Sequence, residues 1–134
     1  VLANQSSEIL RLVETVEAFL GEQGVGPDVA YAMTLSLDEM AANSIRHAYA
    51  DASHGDRRVW IELLVGDDEL RATVTDEGPP FNPLEAEAPD LTAPIEARGI
   101  GGLGIHIVRT MMDGVDYERD GIRNVVTMWK RLTA

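Results

Sequence analysis

The 134-residue chain predicts an α+β fold: a two-layer sandwich whose mostly antiparallel sheet is covered on one face by helices. Three observations point there. Two helix-period segments come first, a strand–turn–strand pattern follows, and a second such pattern closes the chain behind one more helix. No internal repeat or shift in composition divides it, so residues 1–134 read as a single domain.

Each element has its own signal. Val1 to Ala3 is short and apolar and reads as a strand. Ser7 supplies an N-cap, and Ile9, Leu10, Leu12, Val13, Val16 and Phe19–Leu20 give the following helix one apolar face. Gly21 and the run from Gly24 to Pro27 stop it, and Pro27–Asp28 opens a second helix that reaches about Tyr49. Asp51 to Asp56 is a loop. Arg58 to Val65 and Glu69 to Thr75 are β-rich runs around the turn Gly66–Asp67–Asp68, which makes a hairpin. Asn82 to Ala97, rich in Pro, Ala and Glu, lacks periodicity and reads as a long loop of the kind that carries function. Ile105 to Met112 is a helix ended by Asp113–Gly114. Val115 to Glu118 and Asn124 to Leu132 make the last hairpin, turning at Asp120–Gly121. Trp60, Met111 and Met112 read as core and His106 as structural.

Composition excludes several functions. The net charge of -12 argues against nucleic acid or an anionic membrane as partner, because both need a positive footprint, and suits a basic protein instead. With no cysteine, disulfides, thiolate nucleophiles and Cys-ligated zinc drop out, and a cytoplasmic location is the expectation. No apolar run approaches the roughly 20 residues of a membrane span, and no signal peptide is visible. The lone lysine, Lys130, lies near the end, so neither a P-loop nor a mid-chain Schiff base is possible.

The second helix has two unlike faces. Leu37, Ala41, Ile45 and Ala48 share one, while Ser36, Glu39, Asn43, Arg46 and His47 share the other. Glu39, Asn43 and His47 stand at successive i, i+4 steps and so form a row. Such a row is either the wet side of an amphipathic helix or a set of oxygens for a hydrated Mg²⁺ and a base for a proton. Asp76 ends a strand two residues before Gly78. That spacing makes an ordinary Asp-x-Gly turn, and it equally suits a carboxylate accepting from an exocyclic amine. Gly99–Ile100–Gly101–Gly102–Leu103–Gly104 runs into a helix, which frees backbone N–H groups for an anion. It matches G-x-G-x-x-G, but no strand precedes it, so the dinucleotide reading fails. Arg98, beside these glycines, is either a solvated loop arginine or a phosphate ligand.

Together these segments resemble the GHKL superfamily, which includes gyrase, the sensor histidine kinases and MutL. Glu39-x-x-x-Asn43 with His47–Ala48 resembles its N box, Asp76-Glu77-Gly78-Pro79-Pro80-Phe81 its G1 box, and Gly102-Leu103-Gly104-Ile105 its G2 box. The order and spacing agree from about Leu10 to Leu132. The size, the short lid and the endings MMDGVDYERDG and NVVTMWKRL look most like the bacterial anti-sigma factor serine kinases. The resemblance implies a Bergerat-type ATP-binding fold and the cofactors ATP and Mg²⁺. It makes Glu39 the base that deprotonates a protein serine, Asn43 the Mg²⁺ ligand and Asp76 the reader of the adenine amine. Gly78, Gly102 and Gly104 would line the nucleotide, and Arg98 would meet the terminal phosphate, although the family arginine lies nearer the G2 box. His47, Phe81, Gly99, Gly101 and Leu103 complete the expected nucleotide set, with Thr127 as a last-strand hydroxyl beside the adenine. The implied partners are a STAS-type anti-sigma factor antagonist, which is phosphorylated, and a sigma factor held by a homodimer. Two other readings stay open. One is a nucleotide-gated binding module without phosphotransfer, and the other is the ATP-binding domain of a longer histidine kinase.

Overall fold

A computed structural model of the chain describes residues 2–3, 6–48, 58–85 and 102–132. The elements are β1 (Leu2–Ala3), α1 (Ser6–Glu22), α2 (Pro27–Ala48), β2 (Arg58–Val65), β3 (Glu69–Asp76), a 3-10 turn (Pro83–Glu85), α3 (Gly102–Met111), β4 (Gly114–Asp120) and β5 (Arg123–Arg131). The strands form one sheet in the order β1-β2-β3-β5-β4, and every described ladder is antiparallel. The α+β sandwich is therefore the fold observed.

Helix ends follow the local chemistry. α1 begins at Ser6, so Ser7 is its second residue rather than its cap, a shift within the one or two residues by which helix ends vary. At its other end Gly24 takes φ +75, Val25 N–H donates to Leu20 O at 3.0 Å and Gly24 N–H to Gly21 O at 3.1 Å. This is a Schellman motif, and it is Gly24 that makes it possible. Gly21 lies inside the helix instead of ending it. Gly26 O accepts from Ala30 N–H at 2.9 Å, which places Pro27 at the first helical position, where its missing N–H costs nothing.

Strand alternation builds the core. Leu70, Ala72, Val74 and Asp76 of β3 face the helices together with Asn124, Val126 and Met128 of β5, and all are buried. Leu12, Val16 and Leu20 of α1, Met33, Leu37 and Met40 of α2, and Ile105 and Val108 of α3 cover them. Each such side chain contributes about 1.5–3 kcal/mol by leaving water.

Two residues sit differently from their sequence reading. Ser36, assigned to the polar face of α2, is 0% exposed, because α2 packs against both α1 and α3 and its covered stripe is wider than one face. Trp60, read as core, lies half-buried on the opposite side of the sheet from Val59, with the Arg123 guanidinium 5.6 Å from its ring centroid. No described helix covers that side. It also carries Trp129, whose ring fills the place a Cβ on Gly114 would take.

Candidate functional site

The site starts from a break in a row. Along β3 the helix-facing positions run Leu70, Ala72, Val74 and then Asp76, so a carboxylate takes a place the alternation would give to an apolar side chain. Asp76 is only 5% exposed, and burying its charge requires partners. Two donors reach Oδ1: Gly78 N–H at 2.9 Å and Asn124 Nδ2 at 2.8 Å. Oδ2 takes part in no hydrogen bond among the described residues. The Gly78 bond is the Asp-x-Gly turn that this spacing predicts.

Asn124 was not singled out by the sequence. It faces Asp76 across the β3–β5 ladder and is 3% exposed. The signal that could have found it is the one that marks Asp76: a polar residue on an apolar period-2 row, ahead of Val126 and Met128. Its amide donates to Pro79 O at 2.9 Å as well as to Asp76, and its Oδ1 accepts from Phe81 N–H at 3.2 Å. Arg119 adds a bond from Nη1 to Gly78 O at 2.8 Å. The turn from Asp76 to Phe81 is thus fastened to the last hairpin.

A small cleft, partly open to solvent, lies against this corner. Met40, Asn43 and Ser44 of α2 form one wall, Phe81 and Pro83 another, and Asp76, Asn124 and Val126 the floor. Asn43 is buried, and its side chain makes no hydrogen bond among the described residues. One turn earlier on α2, the Glu39 carboxylate meets the first turn of α3. A Cβ on Gly104 would stand 2.5 Å from Oε2. Gly104 is therefore the residue that lets α3 and Glu39 come together, and the positive end of α3 favours a carboxylate there. Beside it, burial raises the Asp38 carboxyl above its ordinary value.

The structure brings Asn43, Asp76 and Phe81 to one cleft, ties Gly78 to Asp76, and sets Glu39 against Gly104. Gly102 and Leu103 are the first two residues of α3. Thr127 does not join them. Asp76 pairs with Asn124, so Thr127, three residues on, points to the other face, where it pairs with Thr73 and Asp116. His47 lies in the last turn of α2, but its side chain falls outside the described residues, as do Arg98, Gly99 and Gly101.

Comparison with known proteins gives a consistent result. A family profile described as "Histidine kinase-like ATPase domain" matches residues 3–130. The chain is 30% identical over 103 residues to a protein from Listeria monocytogenes serovar 1/2a named "Serine-protein kinase RsbW", covering 72% of this chain and 64% of that one. It is 29% identical over 112 residues to the protein of that name from Bacillus subtilis strain 168 (80% and 67%). An "Anti-sigma F factor" from Oceanobacillus iheyensis is 35% identical over 81 residues, covering 60% of this chain and 53% of that protein. The chain thus spans just under two thirds of the length of the first of these relatives. Among solved structures, the catalytic domain of the histidine kinase ThkA superposes with a TM-score of 0.58 at 17% identity, covering 93% of this chain and 92% of that one. A blue-light activated histidine kinase from Erythrobacter litoralis does so with 0.55 at 22%, covering 81% of this chain and 32% of that one.

Proposed function

The chain belongs to the histidine kinase-like ATPase domain family, and from that premise we propose that it is an ATP-dependent protein-serine kinase that also acts as an anti-sigma factor. The observation that carries the nucleotide reading is Asp76: a buried carboxylate at the floor of a cleft, with one oxygen saturated and the other uncommitted. An acceptor held there takes the exocyclic amine of adenine and repels the keto oxygen of guanine. Phe81 and Met40 supply the apolar walls a flat ring needs.

The remaining roles follow from position. Asn43 fits a Mg²⁺ ion, since its buried amide lines the cleft and its oxygen has no partner among the described residues. The ion, when bound, neutralises phosphate charge. Gly102 and Gly104 open α3, whose N-terminal amides would receive phosphate oxygens, with Gly99, Gly101 and Leu103 leading in and Arg98 meeting the terminal phosphate. Glu39 takes the proton from the Oγ of a protein serine. That Oγ bonds to the γ-phosphorus as the bond to the β,γ-bridging oxygen breaks, and ADP leaves. His47, one turn beyond Asn43, orients the same row.

The acceptor in this proposal is a STAS-type anti-sigma factor antagonist in the cytoplasm. A homodimer of the chain holds a sigma factor when the antagonist is absent. The relatives named as serine-protein kinase and anti-sigma F factor support both halves of this reading. The net charge of -12 suits a basic partner surface. Calorimetric titration with ATP, ADP and GTP, with and without Mg²⁺, tests the site. Adenine-selective, Mg²⁺-strengthened binding is expected, followed by phosphotransfer to a STAS protein. No binding at millimolar ATP would overturn it, and binding without transfer would leave a nucleotide-gated module.

A further inference from the structure

We propose that Asn124 is a positioning residue that sets the base selectivity of Asp76, a role that rests on the nucleotide reading above. Its amide has only one workable orientation. Nδ2 donates to Asp76 Oδ1 at 2.8 Å and Pro79 O at 2.9 Å, with Gly78 O at 3.4 Å, so every neighbour on that side is an acceptor. Oδ1 receives Tyr117 Oη–H at 2.6 Å, Phe81 N–H at 3.2 Å and Arg119 Nη1 at 3.3 Å, so every neighbour on this side is a donor. A flipped amide would put its oxygen against three oxygens and its NH₂ against three donors in a buried place, where each unmade bond carries the full desolvation penalty.

The consequence lies at Asp76. Oδ1 already has two donors, and one of them comes from Asn124. The carboxylate cannot rotate without giving up both, so Oδ2 is held as the acceptor for a ligand. It presents a lone pair to an amine and nothing to a keto oxygen. Without the Asn124 donor, only the Gly78 bond restrains the carboxylate. The selectivity then belongs to the pair and not to Asp76 alone. Tyr117 acts on the pair at one remove, because its hydroxyl holds the far side of the same amide.

The test compares ATP with inosine triphosphate, which carries a keto oxygen where adenine carries its amine. Dissociation constants for both are measured by calorimetry on the whole chain, for the wild type, Asn124→Ala and Tyr117→Phe, together with thermal unfolding. Asn124→Ala is expected to weaken ATP about tenfold or more while inosine triphosphate changes little, so the ratio collapses. Tyr117→Phe keeps the ring, removes one donor and lowers the ratio roughly two- to fivefold, which keeps the test alive if Asn124→Ala fails to fold. A merely structural role predicts a lower Tm and equal weakening of both nucleotides. An unchanged ratio in whichever variants fold would therefore overturn the proposal while the wild type still binds ATP. Wild type that binds neither nucleotide removes the nucleotide reading itself and this proposal with it.

Discussion

The regions around Asp76 and Glu39 are built in different ways. Asp76 sits on a central strand and is fastened by hydrogen bonds to its own turn and to Asn124 on the neighbouring strand. Glu39 is carried by a helix and meets a second helix at Gly104, where the fit is close. Under the proposed roles, the base-reading carboxylate is fastened by directed bonds in a paired sheet, and the proposed general base stands where two helices approach each other. Helices can slide by fractions of an ångström at little cost, whereas a buried network of strand-borne bonds is made or broken. On the proposed roles, the site around Asp76 is expected to be formed before ligand arrives.

Four measurements break or sharpen this contrast. Glu39→Gln is expected to keep ATP affinity and cut phosphotransfer by about 100- to 10,000-fold, the usual reach of a general base; undiminished transfer removes Glu39 from that role. Asp76→Asn should weaken ATP about 10- to 100-fold, with a smaller effect on Tm, since the amide keeps an oxygen for Gly78 and Asn124. Equal ATP affinity in the two proteins refutes the adenine assignment.

Gly104→Ala separates stability from activity. Alanine favours a helix over glycine by up to about 1 kcal/mol, so Tm should hold or rise by a few degrees. Its Cβ displaces the Glu39 carboxylate, and transfer should fall roughly tenfold, the cost of a misplaced reacting group. Full transfer in this variant would show that Glu39 has another working position.

The smallest effect is expected at Asp38. Its folded carboxyl is raised by burial, so the folded state binds more protons than the unfolded state between the ordinary value of 3.8 and the raised one. Its charge therefore lowers stability as pH rises through that window, and the loss persists above it. Asp38→Asn should melt slightly higher than wild type at pH 7, with the difference vanishing below pH 3.8. A variant that melts lower at pH 7 contradicts this.

Much of this was legible along the chain. The hairpins came from turn chemistry and alternation, and the Schellman end of α1 from Gly24 and the Pro27 behind it. The three boxes lay in plain view because each is a run of neighbours. Asn124 did not stand out, although it breaks an apolar row just as Asp76 does, because its partners Asp76 and Phe81 lie 48 and 43 residues away. Thr127 drew attention as a hydroxyl in the last strand, and the register turned it to the wrong face.

The sequence by itself determined the elements, their order and the side chains with chemistry to offer, because period-2 and period-3.6 patterns and capping residues act within a few positions. Tertiary structure alone decided which of those side chains meet. It buried Ser36, set Glu39 against Gly104, and locked the amide of Asn124 onto Asp76. Such decisions depend on strand register and helix approach. Those are fixed by packing summed over the whole core, and no local stretch of residues contains that sum.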